Sequence, residues 1–231
     1  QWEKDGYIVV PDFLSTEEVE AYRGVYQDFL DGTVDASSHR HDLGSNEDQH
    51  KDGVENVTQI MCVSAFLPSL LSGAAHSRAG LVSRFLLGDD IAHDFDMLIA
   101  KAPGSQTAVP WHSDEGYWPE MPDTRAASAW IALDTATPDN GCMWFVPGSH
   151  KEALLPHHPA VPGSHVIRAE GVSEADGKPE PLPPGSATFH SGRTLHYTRG
   201  NTTNTQRRAF IVNFRPEAMV QWERDNGFDH G

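Results

Sequence analysis

A histidine and an aspartate separated by one residue follow a short apolar run: His112 and Asp114 come directly after residues 109–111. A run of this kind predicts a β-strand, and side chains two residues apart on a strand project from the same face. The imidazole and the carboxylate can therefore converge on one point. Nitrogen and oxygen donors suit a first-row divalent metal ion, and two histidines with one carboxylate leave coordination positions open. The pair predicts a metal site that needs a second histidine from a distant strand.

His196 is the candidate for that second histidine. A segment rich in glycine, asparagine and threonine follows it at 200–204 and predicts a turn, with an apolar strand beyond. In a hairpin centred on this turn, His196 lies opposite Arg207, and directly opposed residues share a sheet face. A guanidinium beside the metal can hold a carboxylate through two hydrogen bonds. A register change of one residue would select Arg208 instead.

The other histidines carry weaker signals. His39 and His41 lie in a polar segment, and His157 and His158 lie in a proline-rich one, so both pairs are expected to be solvated loop residues. No ligand spacing includes the histidines at 50, 76, 93, 165 and 230.

Helical signals come first along the chain. Residues 7–10 form a β-rich run, and Ser15 with Glu18 forms the pattern of a capping box that begins a helix reaching Gly32. A second helical region fits residues 65–87, with interruptions at the proline and glycine within it. These elements predict an N-terminal helical layer.

After residue 90 the chain changes character. Short apolar runs alternate with turn residues, and they lie at 97–100, 109–111, 127–133, 142–146, 187–189 and 209–214. This spacing is typical of an antiparallel sandwich or barrel. We therefore expect one mainly β domain over 1–231. A polar loop at 32–53 and a proline-rich insert at 150–185 are expected to act as lids over a site, because loops of this length in compact domains are often functional.

Composition limits the class of protein. The 231 residues include 33 acidic and 17 basic side chains, a net charge of −16, which argues against nucleic acid as a partner. No apolar run is long enough to cross a bilayer, so no membrane association is expected. The two cysteines, Cys62 and Cys142, form no disulfide framework and favour a reducing cytoplasm. The oligomeric state stays open.

The ordered set of motifs resembles the phytanoyl-CoA dioxygenase family of Fe(II)- and 2-oxoglutarate-dependent oxygenases. The segments that carry the resemblance are 5–14, 101–105, 109–114, 128–134, 140–150 and 192–209. The resemblance implies a double-stranded β-helix, also called a jelly roll or cupin-like fold. It also implies iron held by His112, Asp114 and His196, with O2 and 2-oxoglutarate as cosubstrates.

Further roles follow from the same resemblance. Arg207 would bind the distal carboxylate of 2-oxoglutarate, because the family's arginine lies eleven residues after the second histidine. The resemblance places Trp130, Met97 and, more loosely, Gln59 beside the cosubstrate; core packing is the alternative for the first two. Thr198, two residues after His196 on the same strand face, could add a hydroxyl. Ser186 departs from the aspartate of many relatives and is expected to alter only a turn.

The implied reaction is the hydroxylation, or a related oxidation, of a C–H bond in a small metabolite or natural-product intermediate, with release of succinate and CO2. Asp114 argues against a halogenase, in which the carboxylate position is given up to chloride. The residues expected to meet the substrate are Tyr117, Trp118, His190 and Arg193. Two alternatives remain: a metal-dependent hydrolase or isomerase, and a jelly roll that binds a ligand without catalysis.

Overall fold

The computed structural model describes residues 1–44, 55–161, 166–228 and 230. Its α-helices are α1 (Trp2–Asp5), α2 (Thr16–Leu30), α3 (Val63–Phe66), α4 (Ala74–Leu87) and α5 (Glu217–Asp225). Its strands are β1 (Tyr7–Val10), β2 (Arg40–Asp42), β3 (Val57–Met61), β4 (Ile91–Lys101), β5 (Val109–His112), β6 (Ala127–Ala132), β7 (Met143–Phe145), β8 (His157–Pro159), β9 (Ile167–Ala169), β10 (Lys178–Glu180), β11 (Ala187–Ser191), β12 (His196–Thr198) and β13 (Arg207–Pro216). Short 3-10 helices cover Ser37–His39, Pro68–Ser72, Asp114–Tyr117 and Ser149–Lys151.

The helical predictions for the N-terminal part are confirmed. The Ser15 hydroxyl accepts a hydrogen bond from the backbone N–H of Glu18, and the Glu18 carboxylate accepts one from the backbone N–H of Ser15. This capping box satisfies two donors that the first turn of α2 would otherwise leave unpaired. The second helical region is interrupted as expected, into α3, a 3-10 turn and α4.

Two antiparallel sheets form the body of the fold. The larger has the strand order β1-β11-β6-β13-β4-β3-β2, and the smaller has the order β10-β7-β12-β5. One apolar cluster lies between them, and Tyr7 from the larger sheet stacks on Phe145 from the smaller at 4.3 Å between ring centres. A second cluster joins the outer face of the larger sheet to α2 and α4. The predicted mainly β jelly roll with an N-terminal helical layer is confirmed.

The long central strand β13 contributes to both cores. Phe210, Val212 and Phe214 point into the helical layer, whereas Ala209 and Ile211 point toward the smaller sheet. The alternation follows from the two-residue period of a strand. Within the described ranges, no helix combines the length and the apolar character needed to cross a bilayer.

The predicted hairpin between the strands of His196 and Arg207 is wrong. Strand β12 pairs with β5 and β7 in the smaller sheet, whereas β13 pairs with β4 and β6 in the larger. The turn chemistry itself forms, because the Asn201 side chain accepts from Thr203 and donates to the Thr205 carbonyl. The turn instead carries the chain from one sheet to the other, since β13 is apolar on both faces and needs cover on each.

Both segments expected to be loops contain short strands. Strand β2 lies within the polar segment and pairs with β3 at the edge of the larger sheet. Within the insert, β8 pairs with β9, and β10 pairs with the edge of β7. Edge positions tolerate proline because one side of the strand needs no partner. Residues 45–53 of the polar loop and 162–165 of the insert lie outside the described residues.

Candidate active site

A cavity of about 430 Å³ lies between the two sheets. Its walls include eleven of the twelve side chains that the sequence singled out, namely Gln59, Met97, His112, Asp114, Tyr117, Trp118, Trp130, His190, His196, Thr198 and Arg207. The volume falls within the range of small-molecule sites, about 300–1,000 Å³. The twelfth residue, Arg193, does not line it.

The three predicted metal ligands lie at one point of the cavity wall. His112 ends β5, and β12 brings His196 directly opposite it, so that the two ring centres are 4.1 Å apart. Asp114 lies just beyond β5, at the start of a 3-10 turn, with Ser113 still extended. One Asp114 carboxylate oxygen, Oδ1, is 3.8 Å from His112 Nε2 and 3.4 Å from His196 Nε2. These are separations that one ion can bridge.

Backbone contacts fix the tautomer of both histidines. His112 Nδ1 lies 2.7 Å from the Pro110 carbonyl and His196 Nδ1 lies 2.9 Å from the Thr194 carbonyl. A carbonyl only accepts, so each Nδ1 carries the hydrogen and each Nε2 keeps its lone pair. Burial lowers the pKa of both histidines, which keeps them neutral. The set has the protonation that metal coordination requires.

The other oxygen of Asp114, Oδ2, is held from behind. The Ser128 hydroxyl donates to it at 2.7 Å, and Asn213 Nδ2 donates to that hydroxyl at 2.8 Å. His190 Nε2 lies 3.3 Å away. Burial alone would raise the pKa of Asp114, but His196 and His190 outweigh it and lower the pKa well below its usual range. The carboxylate is ionised and its direction is set.

Arg207 is a buried cation with no ion pair among the described residues. Its side chain is at the first position of β13 and 1% exposed, and its Nε and Nη1 have no hydrogen-bond partner there. The guanidinium carbon lies 5.2 Å from the ring centre of Trp130. Burial lowers the pKa of Arg207 to about 10, so it remains charged at neutral pH. A charge in this position calls for an anionic partner, because burying an unpaired charge is costly.

The neighbouring Arg208, the alternative that the sequence left open, has different surroundings. It points away from the cavity, and its guanidinium meets the Asp134 carboxylate at 2.8 and 2.9 Å. Arg208 therefore has a structural partner, whereas Arg207 has none among the described residues. The Thr198 hydroxyl, on the wall of the same cavity, is also buried and has no hydrogen-bond partner in the described part of the chain.

The remaining predicted cosubstrate residues line the cavity at its large-sheet wall. Trp130 is 2% exposed and Met97 lies on β4. Gln59 on β3 donates to the Met97 sulfur at 3.4 Å. Their placement is compatible with both of the functions considered for them, core packing and contact with a bound molecule.

The predicted substrate residues divide into two groups. Tyr117 and Trp118 follow Asp114 at the cavity wall, and Trp118 stacks under Arg215 at 4.3 Å. His190 lies beside the metal ligands, with its ring centre 4.5 Å from that of His196. Arg193 instead forms a double hydrogen bond with Glu115, at 2.8 and 2.5 Å. Glu115 therefore engages its guanidinium away from the cavity wall, and its contact with the substrate stays a prediction.

Several residues in the cavity wall or in contact with the loop of the metal ligands had no functional assignment from the sequence. His157 is no solvated loop residue, because its Nε2 accepts a hydrogen bond from the backbone N–H of Ser113 at 3.0 Å. His41, expected in solvent, lies on β2 and lines the cavity. His230, near the C-terminal end of the described chain, lines it too. The β2–β3 pairing brings His41 there, and the segment after α5 brings His230. Ser128 had a signal, since it is a hydroxyl inside an otherwise apolar buried strand.

Two other groups of histidines and acids lie within the described residues. His76 meets Asp96 at 2.8 Å behind the larger sheet, near His93. The other group holds Asp94, Glu223 and His230. That second group already contains the Arg215 guanidinium, at 2.7 Å from Glu223 and 3.3 Å from Asp94. The Arg215 guanidinium therefore supplies a counter-charge to the carboxylates of this group.

The comparisons with known proteins agree with this geometry. The model of the family "Phytanoyl-CoA dioxygenase (PhyH)" matches residues 2–209. A probable phytanoyl-CoA dioxygenase from Caenorhabditis elegans is 27% identical over 98% of this chain and 77% of that protein. An ectoine dioxygenase from Sphingopyxis alaskensis is 28% identical over 91% of this chain and 72% of the length of that enzyme.

A solved structure is similar over nearly the whole fold. EvdO2 from Micromonospora carbonacea var. aurantiaca, in complex with 2-oxoglutarate, is 27% identical and superposes with a TM-score of 0.76. The match covers 92% of this chain and 87% of that one. With a family model that covers most of the sequence, the chain belongs to the phytanoyl-CoA dioxygenase family.

Proposed function

We propose that this protein is an Fe(II)- and 2-oxoglutarate-dependent dioxygenase that hydroxylates a C–H bond of a small molecule. The observation that carries the proposal is Arg207, a buried guanidinium without a carboxylate partner among the described residues, in the same cavity as two histidines and an aspartate. An arginine and a metal in one pocket can bind the two ends of a dicarboxylate. The 2-oxoglutarate complex of the related EvdO2 supports this cosubstrate.

In this proposal His112, Asp114 and His196 hold the iron. Their fit is supported by the two free Nε2 lone pairs and the ionised carboxylate, which together supply two nitrogen donors and one oxygen donor. When bound, iron and 2-oxoglutarate supply a two-electron oxidation of the substrate by O2, with succinate and CO2 as products. Because Asp114 occupies the carboxylate position, we propose hydroxylation rather than halogenation.

The tasks of the chain are binding, orientation and exclusion of water. Arg207 would hold the distal carboxylate of 2-oxoglutarate, with Thr198 as a second donor. Trp130, Met97 and Gln59 would enclose its carbon chain. Ser128 keeps Asp114 in one orientation, which is how supporting hydrogen bonds tune a metal site. Tyr117, Trp118 and His190 are proposed to contact the substrate.

We propose that residues 1–231 form one oxygenase domain whose insert closes the cavity. The insert is fastened to the loop of the metal ligands at two points: His157 accepts from Ser113, and the Tyr117 hydroxyl accepts from the Ile167 backbone at 3.2 Å. Replacing residues 160–166 by a short glycine-serine turn should impair turnover more than iron binding. Equal loss of both would contradict this role.

The cysteine content supports a reducing, cytoplasmic setting, since Cys62 and Cys142 are not joined in a disulfide. The net charge of −16 supports a small-molecule substrate rather than a nucleic acid.

The reaction class is tested by O2 consumption. The purified protein with Fe(II) should consume O2 and release succinate only when 2-oxoglutarate is added, slowly without substrate. A His112→Ala variant should lose this activity. Release of succinate by that variant at the unchanged rate, or none by the intact protein with any tested substrate, would contradict the proposal. A metal-dependent hydrolase or isomerase would consume no O2.

A further inference from the structure

The cavity wall changes from charged to apolar along the two central strands. Arg207 of β13 pairs with Lys101 of β4, and the pair Ile211 and Met97 lies further along the same strands. Four residues of strand span about 13 Å. Beyond this pair the wall continues with Phe95, on the side away from Arg207. The cationic end is the one proposed to hold the cosubstrate.

Resting on the proposed function, we propose that the other end binds an uncharged, compact, ring-containing substrate. Its walls bear the aromatic side chains of Tyr117, Trp118, Phe95 and Phe228 and the flexible apolar side chain of Met61. Flat, apolar walls favour rings, because they give the largest contact area for a rigid ligand. The whole cavity is about 430 Å³, near the lower end of small-molecule sites, and the cosubstrate would share it.

The cations near this end are already paired. Arg215 meets Glu223 at 2.7 Å and Asp94 at 3.3 Å, and Arg193 meets Glu115. His230 lies 3.3 Å from Asp94 and 3.6 Å from Glu223. Apart from Arg207, none of the described wall residues is a lysine or an arginine.

Neither an anion nor a cation therefore finds a counter-charge here. An anionic substrate would lose its hydration without gaining an ion pair, which is unfavourable. The stretches outside the described residues add no excess of positive charge, since their sequence contains one lysine and four acidic residues. The nearby carboxylates of Asp94 and Glu223 are engaged with Arg215 and His230, so they do not favour an ammonium group either.

Three matched probes test the proposal: tetralin-2-ol, tetralin-2-carboxylate and 2-aminotetralin. Their binding is measured by anaerobic calorimetry with the iron- and 2-oxoglutarate-loaded protein. The neutral alcohol should bind more tightly than either charged probe, by about tenfold or more. Stronger or equal binding of the carboxylate or the amine would overturn the proposal, and so would the absence of saturable binding by the alcohol.

A charge substitution sharpens the test. Phe228→Lys places a cation at the apolar end, and the affinity for the carboxylate should rise relative to the alcohol. Phe85→Lys is the matched control. Phe85 is 89% exposed on α4, so this substitution makes the same charge change outside the cavity. An equal effect of both variants would count against the proposal. Binding of 2-oxoglutarate is measured in the same samples. A failure of the proposed reaction class is therefore distinguished from a failure of the proposed substrate class.

Discussion

His196 lies directly opposite His112 across the β5–β12 pair, with the two ring centres 4.1 Å apart. The residues are 84 positions apart in the chain, so neither strand alone makes a site. Their facing positions are fixed by antiparallel pairing, and the carbonyls of Pro110 and Thr194 fix both imidazoles with Nε2 toward the cavity.

Replacing Arg207 should separate stability from cosubstrate binding. In Arg207→Met the affinity for 2-oxoglutarate should fall by about 10- to 100-fold, because charge-assisted hydrogen bonds are worth about 1.5–3 kcal/mol. The free energy of unfolding without cosubstrate should not fall, since the variant removes a buried charge that lacks an ion pair among the described residues. Calorimetry and urea denaturation measure the two quantities. Arg208→Met is the control: its free energy of unfolding should fall and its affinity for 2-oxoglutarate should be unchanged. The opposite pattern in the two variants would assign the cosubstrate contact to Arg208.

Removing the hydroxyl behind Asp114 should weaken metal binding. Ser128→Ala deletes the donor at 2.7 Å from the carboxylate and leaves the carboxylate free to turn. The Fe(II) affinity should fall by about 10- to 100-fold, the usual effect of losing such a support. An anaerobic titration measures it. Ser83→Ala removes a buried hydroxyl of α4 that has no hydrogen-bond partner within the described ranges, and it should leave the affinity unchanged. Equal losses in the two variants would disprove a specific support.

Arg193 and Glu115 should act as one unit. Their double hydrogen bond ties the turn after Asp114 to the loop before β12. Arg193→Met and Glu115→Gln should each lower the Fe(II) affinity modestly, and the double variant should lose no more than either one. A coupling energy of about 1 kcal/mol is expected for a partly exposed pair. If Arg193→Met alone changes substrate affinity, the residue contacts the substrate after all.

The stability of the protein should fall as the pH rises above 6.5. Burial would lower the pKa of His230, but the contacts with Asp94 and Glu223 outweigh it and raise the pKa above the ordinary 6.5. A raised pKa adds stability below pH 6.5, and this contribution is lost as the pH rises through the folded-state value. Urea denaturation in the presence of a chelator should show a smaller pH dependence in His230→Gln. His158→Gln, at an exposed histidine, should behave like the parent protein; identical curves for all three would refute the role of His230.

Much of the fold could be predicted from local patterns. The capping box of α2 and the apolar runs of the strands lie close together in sequence, and local physics determines them. The partner of β12 could not be predicted in this way, because a turn signal is the same whether the chain stays in one sheet or crosses to another. The hairpin that points to Arg207 is therefore absent from the described strands, whereas the spacing found in the family points to the same residue.

The candidate site shows the same division. The spacing of His112 and Asp114 predicts that their side chains project from the same face of the strand. The extended backbone of Ser113 keeps them on that face. Contacts such as Ser128 with Asp114, or His157 with Ser113, join strands or loops that are distant in sequence. A single sequence contains no direct signal for such pairs. The engagement of Arg193 by Glu115 is of the same kind.

The central claim is that one cavity holds iron and 2-oxoglutarate together, and an anaerobic titration tests it most directly. Fe(II) and 2-oxoglutarate are added to the protein, and the weak metal-to-ligand charge-transfer band in the visible region is recorded. The account predicts that the band appears, that it is absent in His196→Ala, and that Arg207→Met requires more 2-oxoglutarate to reach it. Iron binding without the band would contradict the account and leave a metal centre of another kind.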